Sequence, residues 1–467
     1  MRRKLLMECL MAVILAAGEG KRMKSKKAKV VHEIQGIPLV EWVYRSVKNA
    51  GIDEVVLVVG HKAEEVKEKM GDKVLYAFQE KQLGTGHALM QAQEYLKDKD
   101  GYVVVLYGDT PLITSKTISD TINYHREQAN SATIITAVLN NPDGYGRIVR
   151  SGDGSVRKIV EHKDASLEER NIKEINSGIY CFNIRDLTEA LKELDNNNSQ
   201  GEYYLTDTIE ILINKGKKVG AIKVEDSSEI LGINDRVQLA EAGRIIRSRI
   251  LKRHMKNGVT IIDPDSTYID EDVEIGIDTV VYPSTIIEGK TKIGEDCIIG
   301  PGSRLVNAQI SDRVEVKNSV VLESSIDNDT KVGPFAYVRP GSVIGKNVKI
   351  GDFVEIKKSV IGDKTKISHL TYVGDAEVGK NVNLGCGVVV VNYDGKKKNK
   401  TIIGDNAFVG CNVNLISPVE VKDNAYVAAG STITEEVPEY SLAIARSRQT
   451  IKEDWVIKKG MLRQEKE

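Results

Sequence analysis

Aromatic residues are scarce in this chain. Phe, Trp and Tyr together make up only 5% of 467 residues, while aliphatics are plentiful and glycines number 40, a balance that suits a solenoid of narrow coils. Net charge is missing as well. Lys+Arg number 66 against 67 Asp+Glu, which argues against bulk nucleic-acid binding. Cysteine is sparse: Cys9, Cys181, Cys297, Cys386 and Cys411 are scattered, odd in number and without zinc-ligand spacing. A reduced, cytoplasmic protein is the simplest expectation. No apolar run is long enough to cross a bilayer, so no membrane insertion is expected. The start, from Met1-Arg-Arg-Lys, is basic, then apolar, then small, as in a signal peptide. Glu8 interrupts that run, and Ala16-Ala17-Gly18 has a better use as a ligand loop.

What is abundant is a period of six. Val332, Val338, Ile344, Ile350 and Ile356 form one ladder, and Ile403, Val409, Leu415, Val421, Val427 and Ile433 form another. A period of six is neither that of an amphipathic helix nor that of a hairpin sheet. It fits a parallel β-helix with about three hexads per coil and one inward aliphatic per face. The solenoid is expected from about Val259 to about Val437, with weaker periodicity before Lys331. A polar, basic excursion, Asn392-Tyr-Asp-Gly-Lys-Lys-Lys-Asn-Lys400, replaces part of the ladder. Inserted loops on such folds often carry binding, although a lysine run also suits a solvated loop.

The first half alternates. Met11–Leu15 reads as a buried strand feeding the glycine loop Gly18-Glu19-Gly20-Lys21-Arg22-Met23. Helices are expected over Pro38–Ala50, over Ala63–Met70 and from His87; strands over Val55–Val59 and Val103–Leu106. This βαβα order implies a mostly parallel sheet covered by helices, with ligands at the carboxyl ends of its strands. The glycine loop and Asp109 both fall there. Glycines admit backbone N–H groups to an anion, and Arg22 and nearby lysines can neutralise phosphate. Asp109 suits Mg²⁺, which takes hard oxygen ligands, but on spacing alone it equally suits a turn before Pro111. Arg236–Met255 reads as one long helix, either an inter-domain arm or a last helix packed on the first domain.

Several motifs together carry a resemblance. Leu15-Ala-Ala-Gly-Glu-Gly-Lys-Arg-Met-Lys-Ser-Lys-Lys-Ala-Lys29, Gln82-Leu-Gly-Thr-Gly-His-Ala88, Tyr107-Gly-Asp109, Gly144-Tyr-Gly-Arg147, Val160-Glu-His-Lys163, Glu174-Ile-Asn-Ser-Gly178 and Gly201-Glu-Tyr-Tyr-Leu-Thr-Asp207 resemble the sugar-nucleotide pyrophosphorylases. Joined to hexapeptide repeats, the set resembles the bacterial bifunctional N-acetylglucosamine-1-phosphate uridyltransferase/glucosamine-1-phosphate acetyltransferase family over nearly the whole chain. The resemblance implies a Rossmann-like α/β nucleotidyltransferase with a mostly parallel sheet, followed by a left-handed parallel β-helix of hexapeptide repeats. The domains would be 1–235 for uridylyl transfer, a linker helix 236–256, a β-helix 257–440 for acetyl transfer, and a tail 441–467.

The resemblance also implies roles. Leu15, Ala16, Ala17, Gly18, Gln79, Gly84 and Thr85 would hold the nucleotide of UTP. Arg22 and Lys29 would act on the triphosphate, with Mg²⁺ on Asp109 and Asn234. Tyr107, Gly146, Glu161, Asn176, Tyr204 and Thr206 would hold the sugar of N-acetylglucosamine 1-phosphate. In the second half His369 would be the base, with Glu355 orienting it. Arg339, Lys357, Tyr372 and Asn383 would bind glucosamine 1-phosphate. Cys386, Asn392, Tyr393, Cys411, Ala429 and Arg446 would line the acetyl-CoA site. A homotrimer with acetyl-transfer sites between subunits is implied, and a product, UDP-N-acetylglucosamine, that feeds bacterial cell-wall synthesis.

The chain departs from the family pattern in places. Glu19 stands where Lys is common, Ala28 where Pro is common, Cys386 for Ala, Cys411 for Ser, and Ser447-Arg448 for Val-Pro. A thiol at 411 is a poorer hydrogen-bond partner than a hydroxyl. Two other readings stay open: a monofunctional nucleotidyltransferase on a structural or regulatory β-helix, and a non-enzymatic trimerising scaffold. His369, Lys357 and the Asn392-Tyr393 loop favour the bifunctional reading over the first. The Arg22, Lys29, Asp109 and Asn234 set weighs against the second.

Overall fold

The computed structural model describes residues 9–461. The signal-like start up to Glu8 and the end of the tail beyond Met461 lie outside the described residues. The chain divides into two compact units at Arg249/Ile250, within the helix Arg236–Lys256.

The first unit is built on β1 (Cys9–Leu15), β2 (Glu54–Val59), β3 (Leu75–Phe78), β4 (Gly101–Tyr107), β5 (Ala132–Val138), β6 (Arg147–Arg150), β7 (Val156–Val160), β8 (Glu174–Asn183) and β9 (Val219–Lys223). The sheet runs β9-β5-β8-β4-β1-β2-β3, with the β6/β7 hairpin attached through β8. Four of the six pairings along this path are parallel, and only β8 runs against its neighbours. The central strands read as continuous apolar runs because both faces are covered. Met11, Val13 and Leu15 enter one core, and Ala12 and Ile14 enter the other. The helix Leu39–Asn49 covers the second face with Val40, Val43 and Val47, and Asp207–Asn214 covers the first with Ile209 and Leu212. The helix expected from His87 begins two residues earlier, at Thr85.

The chain lays β1, β2 and β3 side by side, then returns to place β4 on the far side of β1. Such a reversal opens a crevice at the carboxyl ends of the strands. Those ends carry Leu15–Gly18 and Tyr107–Asp109.

The second unit is a parallel β-helix with sheets of 11, 10 and 9 short strands. Strand follows strand around the three faces, so residues six apart point inward on successive faces. Every member of the two sequence ladders is buried. Each inward aliphatic side chain contributes about 1.5–3 kcal/mol by leaving water. The periodicity weakens before Lys331 because some steps shorten: Leu305 to Ile310, Val316 to Val321 and Val321 to Ile326 are five residues each. The inward register survives, because the missing residue comes out of a corner.

Corners need positive φ, which Asn and Asp tolerate better than most residues. Asn347, Asn381, Asn406 and Asn424 serve this way. Buried hydroxyls clamp coil to coil. Thr330 Oγ1 donates to the Gly345 carbonyl at 2.7 Å and accepts from the Val348 N–H at 3.0 Å. Thr365 does the same with Gly379 and Val382, at 2.8 and 3.0 Å. The basic excursion leaves at a corner as well. Leu384 pairs with Val409, 25 residues on, whereas Ile367 pairs with Leu384 after 17.

Ile350→Ala would leave a cavity in a layer that both neighbouring coils share. A loss of about 2–5 kcal/mol is expected, read from the urea-unfolding midpoint of the β-helix.

Candidate active sites

In the first unit the crevice holds a cavity of about 290 Å³ lined by Leu15, Ala16, Ala17, Gly18, Lys29, Gln79, Gly84, Thr85, Tyr107 and Asp109 among others. All seven residues expected at the nucleotide therefore line one cavity. Gln79 is buried, and its amide donates to the Gly84 carbonyl at 3.2 Å. Thr85 Oγ1 accepts from the Leu205 N–H at 3.1 Å, which ties the glycine turn to the next segment. Gly20 adopts φ +64°, and a Cβ there would lie 2.6 Å from the Lys29 Cβ, so only glycine lets the loop close over the lysine.

The cations and the expected metal ligands form one cluster. Lys29 Nζ donates to Asp109 Oδ2, and also to Asn234 Oδ1 at 3.4 Å. Arg22 Nη2 donates to the same Asn234 oxygen at 2.9 Å. A second cavity of about 230 Å³, lined by Glu19, Gly20, Lys21, Arg22, Lys29 and Asn234, continues from the first through Lys29. Both departures in this loop have local accounts. Glu19 pairs with Lys21 at 2.5 Å, which leaves Arg22 and Lys29 as the cations of the cluster. Ala28 donates its backbone N–H to Glu65 at 2.7 Å, a bond that proline cannot make.

The expected sugar residues gather beside Tyr107. Gly178, at φ +80°, packs so closely that a Cβ would meet the Tyr107 ring at 2.3 Å. Thr206 Oγ1 donates to Glu161 at 3.2 Å, and burial raises the Glu161 carboxyl against that bond. Burial also pushes the Tyr107 phenol up, with Glu161 adding to the shift. Asn176 donates its amide to the Tyr180 hydroxyl at 2.7 Å, and its backbone N–H to the Gly146 carbonyl at 2.9 Å. Tyr204 is buried, and its hydroxyl accepts from Gln200 at 2.7 Å.

In the β-helix the candidates lie along two corners. At the corner following the 11-stranded sheet, register stacks Asp352 under His369. Counting on from Ile367–Leu384, Leu384–Val409 and Val409–Val427 adds Cys386, Cys411 and Ala429 to the same column. Corner bonds agree: Leu370, Gly387, Asn412 and Gly430 donate backbone N–H to the carbonyls of Asp352, His369, Cys386 and Cys411 in turn. Arg446 Nη1 caps the column on the Ala429 carbonyl at 3.1 Å. His369 Nδ1 lies 2.5 Å from Asp352 Oδ1.

At the next corner Lys357 is buried and reaches Asp375 at 3.4 Å. Asn392 donates to the same Asp375 oxygen at 2.5 Å and to the Tyr372 hydroxyl at 3.4 Å. Lys398, from the inserted loop, lies beside Lys357, whose ammonium holds Lys398 below the ordinary lysine range.

Within one chain, three groups of these residues lie apart from the partners that the resemblance gives them. Within one chain Glu355 accepts from Arg339 at 2.8 Å, and register puts Asp352 rather than Glu355 opposite the imidazole. Asn383 does not join Arg339, Lys357 and Tyr372 within one chain. It lies on the 11-stranded sheet, whereas Tyr372 lies on the 10-stranded one. Asn392 and Tyr393 likewise lie beyond the far edge of the 10-stranded sheet from the Cys386–Ala429 column. Sequence reasoning missed Asp352, Asp375 and Lys398. Counting one 17-residue coil back from His369 finds Asp352; the lysine run of the insert signals Lys398 without singling it out.

Family models agree with this division. Residues 11–230 match the nucleotidyl transferase model, residues 272–307 the bacterial transferase hexapeptide model, and residues 323–427 the GMPPB C-terminal domain. Fold and sites thus define a nucleotidyltransferase joined to a left-handed parallel β-helix of hexapeptide repeats. Curated relatives span nearly the full length. Bifunctional protein GlmU of Caldanaerobacter subterraneus subsp. tengcongensis is 61% identical, covering 98% of this chain and 100% of the relative. That of Thermoanaerobacter pseudethanolicus is also 61% identical with the same coverage, and that of Clostridium kluyveri is 58% identical over 96% and 99%. The chain belongs to the bifunctional GlmU family.

Asp109→Asn removes the one carboxylate of the phosphate-end cluster. We expect most nucleotidyl transfer to be lost while the first unit still unfolds cooperatively in a thermal melt, at a lowered midpoint because Lys29 loses its counter-charge in a largely buried pair. Near-normal transfer would remove Asp109 from the catalytic set.

Proposed function

We propose that the chain makes UDP-N-acetylglucosamine in two steps at two sites. Glucosamine 1-phosphate is acetylated from acetyl-CoA on the β-helix. N-acetylglucosamine 1-phosphate then receives UMP from UTP in the α/β crevice, and pyrophosphate leaves.

In the crevice the sugar phosphate oxygen attacks the α-phosphorus in line. Tyr107, Glu161, Asn176 and Thr206 position the sugar, and the Leu15–Gly18 turn with Gln79 and Thr85 positions the base. Arg22 and Lys29 leave their internal partners and neutralise the triphosphate, so catalysis is positioning and charge compensation. Asp109 and Asn234 fit a magnesium site. One carboxylate and one amide oxygen stand together, and no cluster of three metal-ligating His, Cys, Asp or Glu occurs among the described residues. A hard cation there would take its remaining oxygens from phosphate and water, supplying charge neutralisation between the phosphates.

On the β-helix His369 accepts the amine proton, while Arg339, Lys357 and Lys398 hold the phosphate of glucosamine 1-phosphate. The observation that carries this reading is the exposed His369, hydrogen-bonded at one corner while a buried Lys357 and the Lys398 loop stand at the next; a bare scaffold uses none of them. The site needs a second copy of the chain, and we read the assembly as a trimer. One chain places Asn383 and Tyr372 on different sheets, so facing copies complete the set. Beside His369, at corner positions where Asn and Gly are usual, Phe335, Phe353 and Leu370 stand 57%, 57% and 58% exposed, and the two rings stack. Bulky residues at positive φ carry strain, and an exposed apolar ridge is stabilised by another surface.

The first test mixes purified protein with acetyl-CoA and glucosamine 1-phosphate and follows free CoA thiol. We expect release in wild type and a loss of about 10²–10⁴-fold in His369→Ala. No release from wild type, with uridylyl transfer intact, would leave a nucleotidyltransferase on a structural β-helix. Separately, Phe353→Glu should dissociate the trimer in light scattering and remove acetyl transfer while uridylyl transfer persists. A fully active wild-type monomer would contradict the shared site.

A further inference from the structure

We infer that Asp352 is a positioning residue for acetyl transfer, a carboxylate that sets the tautomer of His369 and holds the charge the ring acquires. The inference rests on the reading of His369 as the base.

Asp352 and His369 are backbone partners on adjacent coils. Neither side chain has to reach, because coil stacking itself sets the carboxylate under the ring. Their contact is 2.5 Å between Oδ1 and Nδ1. The imidazole bond holds the Asp352 carboxyl below its usual range, with Lys349 adding to the effect. Across neutral pH the carboxylate is therefore an acceptor only. The proton must sit on Nδ1, which leaves the lone pair on Nε2, the nitrogen able to take a proton from an amine.

The other groups packed around the ring do not compete for this task. Lys349 shares the strand of Asp352, and Lys366 shares that of His369. Asn383 and Cys386 belong to the next coil. Glu355 is held by Arg339. Thr371 Oγ1 donates to the His369 carbonyl at 2.7 Å, which fixes the backbone under the ring and leaves its nitrogens unaffected.

The step balances. The amine nitrogen bonds to the thioester carbonyl carbon, and Nε2 takes the amine proton. The C–S bond then breaks, and the CoA sulfur leaves with that proton. Between those events the ring is a cation with Asp352 as its counter-ion, and Asp352 stays unprotonated throughout. A buried carboxylate in such a pair contributes about 10⁴-fold to rate. Asp352 is 36% exposed at its side chain, so water shares its task.

The test uses the full chain and Asp352→Asn, which keeps shape and an acceptor oxygen but removes the charge. CoA thiol release is measured across the pH range with acetyl-CoA and glucosamine 1-phosphate. We expect kcat to fall about 10- to 100-fold with KM for both substrates little changed. The acid limb of the kcat profile should move to lower pH, because the imidazolium loses its counter-charge. Asp352→Glu is the second variant: it restores the charge and should return the acid limb toward wild type even where kcat stays low. A fall in kcat with an unmoved acid limb in Asp352→Asn, or a wild-type kcat and profile, overturns the inference. An active His369→Ala overturns the reading beneath it.

Discussion

In the second unit everything depends on register. Each strand, two to four residues long, pairs only with the equivalent strand of the coils before and after it. A strand that short has almost no stability alone, so the solenoid holds only as a stack in which every coil repeats the phase of its neighbour. Inward aliphatics and corner hydroxyls keep that phase. The same phase makes chemistry: because position repeats from coil to coil, Asp352, His369, Cys386, Cys411 and Ala429 form a line along one corner without any local bend to bring them together.

The first unit reaches its site by another route. A topological reversal between β1 and β4 opens the crevice, and loop ends from distant parts of the sequence converge on it. The phosphate end carries two cations against one carboxylate. Lys29 and Arg22 are held by Asp109 and Asn234. Asp109 answers the charge of the part-buried Lys29, while exposed Arg22 has only a neutral amide, so the cluster keeps a net positive charge suited to a polyanion.

The legibility of these features followed from distance along the chain. Val332 through Ile356 announced the solenoid because a period of six is a local pattern. Met11–Leu15 announced a buried strand for the same reason. Before Lys331 the pattern blurred because five-residue steps shift the count while leaving the inward register intact. The Arg22–Asn234 contact spans 212 positions, so spacing could not reveal it; only the resemblance put both residues at one site. Within one chain the acid beside His369 is Asp352, three residues from the Glu355 that the resemblance singled out. At a corner, three residues carry the chain onto the next face, and nothing in the local sequence marks which acid stays behind. Asn383 and Tyr372, which the resemblance puts in one site, lie on different sheets of one chain; periodicity counts coils but does not say which faces a site uses.

The inserted loop shows what this architecture permits over evolutionary time. The chain leaves after Val391, wanders through nine residues, and re-enters with Leu384 and Val409 still in register. The insertion is tolerated because it starts and ends at a corner, where the ladder asks nothing of side-chain direction. Length can therefore vary there without cost to the layers above and below. Surface outgrowths at such points can be lengthened, shortened or recoded independently of the scaffold, so a solenoid of this kind can acquire a new specificity one corner at a time.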